Sequence, residues 1–323
     1  MSQRGVWGGW VALALALGLL APAAAAEPLR QVSLAGNRTG SVGFITAVAL
    51  EKGLDRRNGL RVEPKWYSVA QAEKALALGH VEVGYFAPLS AVKVQARGKR
   101  LLIFAPILWN HYHIVVPKDS PARSIADLRG KRLGSLSRAS GGYTNLATLL
   151  RMQGKDIERH FRLVFGAPAA LLAFLKKGDV DAILIFEPVA TRLVASGEYR
   201  SLVATRKLWE RETGGRTLLL VGLAAYEDWL KENAETARRV RQMYADAASY
   251  IRAHPEVFDE PAMKKILGVR TRAELEAIRA SLPAVYATEW TAKTRADALF
   301  YLRKSAELGL LPADARVDVF VSP

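Results

Sequence analysis

The sequence predicts a two-lobed α/β fold, each lobe a mostly parallel sheet flanked by helices, with extra C-terminal helices on the first lobe. Three observations carry this expectation. Strand-length apolar runs alternate with helix-period runs from about residue 30 to residue 223, the pattern of parallel strands joined by crossover helices. One design occurs twice. GHVEVGYFAPLSAVKVQARG at 79–98 and GDVDAILIFEPVATRLVASG at 178–197 match Gly79 with Gly178, Glu82 with Asp181, Pro88 with Pro188, and Gly98 with Gly197. From Tyr226 onward the period is helical, punctuated by Pro255, Pro283 and Pro312. A length of 323 residues, half of them hydrophobic, suits about two packed domains.

In chain order, residues 1–26 read as a signal peptide. Arg4 supplies the positive start, 11–20 the apolar run, and Ala24, Ala25 and Ala26 a small-residue cleavage site before Glu27. That run is short for a bilayer, and no later stretch reaches the ~20 residues a span needs. The expectation is an exported protein beginning near Glu27 in a periplasm. With no cysteine it has no residue to carry a lipid anchor. The first part of lobe 1 is then 27–112, lobe 2 is 113–214, and 215–323 returns to lobe 1 and adds the C-terminal helices.

Residues 30–35 read as a strand and 44–54 as a helix. The glycine-rich turn between them runs from Gly36 to Gly43 and opens the helix, where N–H groups and the helix dipole favour an anion. It has neither P-loop nor dinucleotide spacing. Arg38, Thr39, Gly40 and Ser41 are therefore candidate ligand contacts. A strand at 60–66, a helix at 70–78, a strand at 81–86, a helix at 89–96 and a strand at 101–108 follow. Ligands of open α/β sheets bind beyond the carboxyl ends of strands. The turns Phe86-Ala87-Pro88 and Phe186-Glu187-Pro188 can thus face each other across a cleft, which makes Phe86, Pro88 and Glu187 candidates. Asn110 and His111 lie on the crossover between lobes and join them. His111 and His113 share a side at strand spacing, but no third ligand is near, so neither a metal nor another cofactor is expected.

The stretch 117–138, PKDSPARSIADLRGKRLGSLSR, has Ser124 as an N-cap, a short helix at 125–128, Gly130 as its stop and a strand at 131–136. Small residues at 139–142 open a helix at 143–152. Together with VDAILIFEP and the ALEKGLDRRNG stretch ending at Gly59, these motifs resemble the solute-binding proteins of ABC transporters, in particular the sulfonate/taurine/nitrate group. The resemblance extends to about residue 252. It implies a periplasmic-binding-protein (type II) fold that holds a small anionic or zwitterionic ligand between its lobes. It also implies a monomer that delivers the ligand to permease subunits with a cytoplasmic ATPase. Pyrimidine-precursor binders look similar, and a related pyrimidine-forming enzyme shares the fold, although its cysteine-rich motif is absent here. The alternative is therefore an exported enzyme or sensor acting on a pyrimidine-like or carboxylate ligand, but no nucleophile, acid–base pair or metal set stands out.

The remaining segments complete the frame. Strands are expected at 161–165, 180–186, 201–205 and 217–223, the last returning to the first lobe, and a helix at 169–177. Helices at 234–253, 256–267, 272–280 and 292–308 are expected to pack on the first lobe. The formal charge of +15 would ordinarily raise nucleic acid as a partner. Export argues against it, and basic residues spread along the chain read as a solvated surface with a bias toward anions.

Thr39, Gly40, Ser41, Ser140 and Gly141 are expected to hold an anionic head, with Tyr143 beside them at the same helix start. Ser140 is an N-cap, a ligand donor or both. Arg38 and Arg138 are surface charges or anion clamps. Glu187 has three readings: a general base, an acceptor for a ligand amine or backbone N–H, or a helix N-terminal carboxylate. Three or four charge-assisted hydrogen bonds at about 1.5–3 kcal/mol each, plus the helix termini, reach the roughly 8 kcal/mol of a micromolar site.

Overall fold

The computed structural model describes residues 28–95, 98–287, 289–312 and 314–321, so the signal segment 1–26 lies outside the described residues. The first lobe is built from β1 (Arg30–Gly36), α1 (Gly40–Glu51), α2 (Leu54–Arg57), β2 (Leu60–Trp66), α3 (Val69–Ala77), β3 (Gly84–Phe86), α4 (Pro88–Gln95) and β4 (Leu101–Trp109). The chain crosses into the second lobe through β5 (Tyr112–Pro117). That lobe continues with β6 (Arg132–Ser135), α5 (Gly141–Met152), α6 (Ile157–His160), β7 (Arg162–Phe165), α7 (Pro168–Lys177), β8 (Ala182–Phe186), α8 (Val189–Ala195), β9 (Tyr199–Ala204) and α9 (Thr205–Glu212). It then returns as β10 (Leu219–Tyr226) and ends in α10 (Glu227–Glu232), α11 (Ala234–Ala253), α12 (Pro261–Leu267), α13 (Arg272–Ser281) and α14 (Ala292–Glu307).

The two sheets have the same plan. In the second lobe the order is β7-β6-β8-β5-β9. In the first, β2-β1 joins β3-β10-β4 through the parallel bridge between Leu34 and Val83. Four strands of each sheet run one way and the fifth, β10 or β5, runs against both of its neighbours. The reason is geometric. The other strands end at the edge where the lobes face each other, so a strand arriving from the opposite lobe must start at that edge.

The repeated sequence design is a repeat of structure. Ser33 N donates to Glu82 Oε2 at 2.7 Å and Arg132 N donates to Asp181 Oδ2 at 2.7 Å, pairs with the same 49-residue separation. Arg30 lies opposite Leu60 in the first lobe and Arg132 opposite Arg162 in the second, again with one common spacing. In both copies an acidic side chain near the start of the third strand fastens the first. Gly79 and Gly178 both take positive φ at 74°, the left-handed conformation that ends α3 and α7 at no Cβ cost.

Differences from expectation have local causes. The helix expected at 256–267 is broken: Pro255 and Pro261 each open a new turn, giving a 3-10 segment Pro255–Asp259 before α12. The helix α9 was not anticipated from the sequence. The extra helices pack on the first lobe only in part. On that lobe, α11 lies along α1, where Tyr244 Oη and Thr46 Oγ1 share a hydrogen bond of 2.9 Å. In contrast, α13 packs against α8 of the second lobe, and Arg192 of α8 donates to the carbonyls of Leu267 and Gly268 at 3.1 and 2.8 Å. Ser305 of α14 meets Thr148 of α5 at 3.0 Å. The C-terminal helices therefore bridge the lobes. Among the described residues no helix is long and apolar enough to cross a membrane.

Candidate functional site

Between the lobes lies a cavity of ≈ 350 Å³ with largely apolar walls. Four helix starts reach it: Thr39 to Val42 of α1, Ser68 before α3, Ser140 and Gly141 of α5, and Ala167 and Pro168 of α7. The duplication explains this convergence, because each lobe contributes the starts of its first two long helices. A helix start leaves N–H groups without intrahelical partners, and buried ones need an acceptor. Those of α5 and α3 are partly served. Ser140 Oγ accepts from Tyr143 N at 3.4 Å, and Ser68 forms a capping box with Gln71. The start of α1 has no such service, since Thr39 makes no capping hydrogen bond while Ser41 and Val42 are buried.

The expected contacts divide into two groups. Thr39, Gly40, Ser41, His111, Ser140 and Gly141 are brought together in the cavity walls. Arg38, Phe86, Pro88, Asn110, Arg138, Tyr143 and Glu187 are not among the lining residues. Arg38 stacks over Trp66 at 5.2 Å and Arg138 over Phe165 at 4.6 Å, equivalent positions at the ends of β2 and β7. Arg138 also grips Glu158 with two hydrogen bonds of 2.7 and 3.0 Å, and Tyr143 Oη donates to the same carboxylate at 2.5 Å. Phe86 and Pro88 are buried packing residues. Asn110 ties the two crossings together: its N–H donates to Leu218 O at 2.8 Å, and its Oδ1 accepts from Thr205 Oγ1 at 2.6 Å.

Glu187 is used internally. Its Oε1 lies 3.1 Å from His113 Nε2, and its Oε2 accepts from Thr191 N in the first turn of α8 at 3.1 Å. Burial opposes its ionisation, but the hydrogen bonds from His113 and Thr191 win and hold the carboxyl below its ordinary range. The geometry displays a carboxylate at a helix start that accepts a backbone N–H, so the second and third readings coincide here. The backbone O of Glu187 also accepts from Ser41 Oγ at 2.7 Å, so this turn fastens α1 to the second lobe.

The two histidines part company. His113 Nδ1 meets Ser201 Oγ at 2.8 Å, whereas His111 Nδ1 meets Trp109 O at 2.8 Å. A carbonyl can only accept, so His111 carries its proton on Nδ1 and leaves Nε2 as an acceptor. Burial pushes the His111 ring down to about 4, so it is neutral at physiological pH. No group of three or more metal-ligating side chains occurs among the described residues.

Among the lining residues that the sequence did not single out, Glu73 carries the charge. Glu73 sits one turn into α3, and its Oε1 accepts from Ala87 N at 3.0 Å, bracing the turn between Phe86 and Pro88. Burial pushes its carboxyl up to about 7, with only the Ala87 hydrogen bond opposing. No lysine or arginine is among the lining residues. The sequence signal was thin, an acidic residue beside apolar helix positions.

Close packing at the start of α5 matters for the cavity shape. A Cβ on Gly142 would come within 2.2 to 2.5 Å of three ring carbons of buried Tyr112, whose ring meets Phe186 with centroids 5.7 Å apart. Gly142→Ala should cost about 1–3 kcal/mol, an overpacking penalty readable by urea denaturation. A variant as stable as the parent would mean that Tyr112 moves freely.

Two similar α/β lobes, two crossings and a helix-lined cavity between them define a bilobal solute-binding receptor. The profile of the phosphonate ABC transporter periplasmic substrate-binding proteins matches residues 46–221, and the chain belongs to that family. No curated protein matches the sequence. Among solved structures, the alkanesulfonate-binding protein SsuA from Xanthomonas axonopodis pv. citri, bound to MOPS, is 20% identical with a TM-score of 0.74, covering 92% of this chain and 100% of its own. The periplasmic aliphatic sulphonate binding protein SsuA from Escherichia coli is 19% identical with a TM-score of 0.70, covering 90% and 96%. The periplasmic nitrate-binding protein NrtA from Synechocystis PCC 6803 is 14% identical with a TM-score of 0.67, covering 90% and 84%. At these identities the likeness shows a shared fold. The chain is thus a periplasmic substrate-binding protein of an ABC-type import system.

Proposed function

We propose that this protein captures an organic oxyanion, a sulfonate or phosphonate, in the interlobe cavity and hands it to the permease of its importer. The observation that carries the reading is the uncapped, buried start of α1 facing the Ser140 start of α5 across the cavity. Unpaired N–H groups and the dipole ends of these 12-residue helices favour negative charge without any lysine or arginine. Leu108, Leu136, Leu220 and Val221 in the walls suit an alkyl body, for which bare nitrate has no use. The sulfonate-binding neighbours and the phosphonate family point the same way. In this reading the lobes hinge about the crossings near 110–114 and 214–219, and closure excludes water and strengthens each polar contact.

Thr39→Asp tests the site. Aspartate is a better N-cap than threonine, so its carboxylate would take the α1 donors for itself and repel an incoming anion. Calorimetric titration with ethanesulfonate, ethylphosphonate and nitrate should show saturable binding of an organic oxyanion to wild type, weakened at least tenfold in the variant. The ligand-free variant should gain about 0.5–1 kcal/mol of stability. Equal affinity in both proteins would remove the α1 start from the site.

A further inference from the structure

We propose that the outer end of the second lobe, the edge of its sheet farthest from the cavity, docks on an anionic lipid surface through a patch of unpaired cations. The patch holds the receptor on the membrane that carries its permease and leaves the interlobe cavity open to solute. This goes beyond the ligand reading above and does not depend on it.

Strand pairing gathers the patch from three separate loops. Arg129 and Lys131 precede β6, Arg159 lies in α6 and Arg162 opens β7, and Lys176 and Lys177 end α7. Gly130 N donates to His160 O at 2.7 Å, Arg162 N to Lys131 O at 2.9 Å, and Arg132 Nη2 to Gly178 O at 2.8 Å, so the loops are sewn together. All six side chains are exposed, and among the described residues none of them has a hydrogen bond or an ion pair. The acids within 129–132, 159–162 and 176–181 are Asp179 and Asp181, and Asp181 is taken by Arg132. Asp127 nearby accepts from Arg123 N and from Ser124 N and Oγ. Like charges gathered this way repel one another, and the duplication shows that the fold does not require them. Where the second lobe has Lys131, Arg162, Lys176 and Lys177, the first has Leu29, Leu60, Ala77 and Leu78, as the strand registers and the match of Gly178 with Gly79 align them.

The kind of partner follows from the chemistry of the patch. The rings on these loops, His160 and Phe161, are buried, so they offer neither a stacking platform for a nucleobase nor an aromatic anchor for a protein hot spot. None of the six cations lines the cavity. From Arg132, β6 runs four residues, about 13 Å, to Leu136 in the cavity wall, so docking at this edge does not cover the solute site. Point charges spread over three loops suit a diffuse sheet of negative headgroups, where each lysine or arginine strengthens association about fivefold.

The test sediments the full mature chain with vesicles of phosphatidylcholine alone, or of phosphatidylcholine with about one-third phosphatidylglycerol, at about 50 mM salt. Wild type should pellet with the anionic vesicles only and come off as salt rises to about 300 mM. Replacing Arg129, Lys131, Arg159 and Arg162 together by glutamine should weaken the partition at least about fiftyfold, since four of the fivefold factors are removed. A control of equal net charge, with Lys65, Arg241, Lys265 and Arg303 replaced by glutamine, removes exposed cations elsewhere and should lose less than about fivefold. A second readout needs no variant. Amide hydrogen exchange of wild type on anionic vesicles should slow at 129–131 and 159–162 and stay unchanged at Thr39 to Ser41 in the cavity wall. No partition to anionic vesicles, or a partition that falls equally in both variants without local protection, overturns the assignment. Retention on poly-glutamate beads without vesicle binding would make the partner an acidic protein and overturns it as well. None of these outcomes touches the oxyanion reading, which the solute titrations test by themselves.

Discussion

Replacing Asp297 by alanine should destabilise the folded chain by about 3 kcal/mol, measured by chemical denaturation. The carboxylate is 2% exposed and receives four hydrogen bonds: Arg216 at 3.0 Å, Thr217 N and Oγ1 both at 3.0 Å, and Lys293 at 2.8 Å. Thr217 lies on the second crossing, and Asp297 in α14 fixes that crossing just before β10 returns to the first sheet. Removing one member of a buried charged cluster typically costs about 3–5 kcal/mol. The lower end applies because Arg216 and Lys293 both reach solvent and can be rehydrated. Burial opposes ionisation of Asp297, but bonds from Lys293, Thr217 and Arg216 win and hold its carboxyl below the ordinary range. Its stabilisation is therefore full above the unfolded-state value near 3.8 and is lost as pH falls through the lower folded value. The gap between wild type and Asp297→Asn should narrow in acid. A loss below about 1 kcal/mol at pH 7 would contradict the role given to this cluster.

Glu73 has the opposite sign. Its folded-state value of about 7 lies above the ordinary 4.5, so between those pH values the folded chain binds more protons than the unfolded one. Its contribution to stability must fall as pH rises through that window. A shift of this size corresponds to about 3 kcal/mol, which water entering the ligand-free cavity should reduce to about 2. Glu73→Gln should thus leave ligand-free stability nearly unchanged at pH 4 and raise it by about 2 kcal/mol at pH 8. Thermal melts across pH read the crossover directly. Parallel curves for the two proteins would mean that Glu73 is solvated and ionises freely. If the crossover is found, a half-buried carboxyl that costs stability without a ligand is the kind of feature a binding site retains.

Much of this architecture was legible in the linear chain because its causes are local. The helix at 234–253 coincides with α11, whose apolar face at Val240, Met243, Ala247 and Ile251 is buried. The pairing of Glu82 with Asp181 marked a real duplication, since each fastens the neighbouring strand through the same bond. The glycine-rich start at Gly40 and the cap at Ser140 were visible because capping is decided within a few residues.

What sequence alone determined is therefore the kind of element at most places, the duplication, and the helix starts that could meet an anion. Which starts actually meet, and which side chains stand between them, was decided by tertiary structure. Arg38 and Arg138 turn onto Trp66 and Phe165 because a guanidinium gains more from an aromatic face and a carboxylate than from a dry cavity. Glu187 goes to His113, which strand pairing delivers from a different element. Glu73 faces the cavity only because α3 is anchored beside the turn at Ala87. These outcomes rest on contacts between residues far apart in the chain. Local propensity carries no record of such contacts, and a buried charge takes its energy from whichever partner the fold places within a few ångströms.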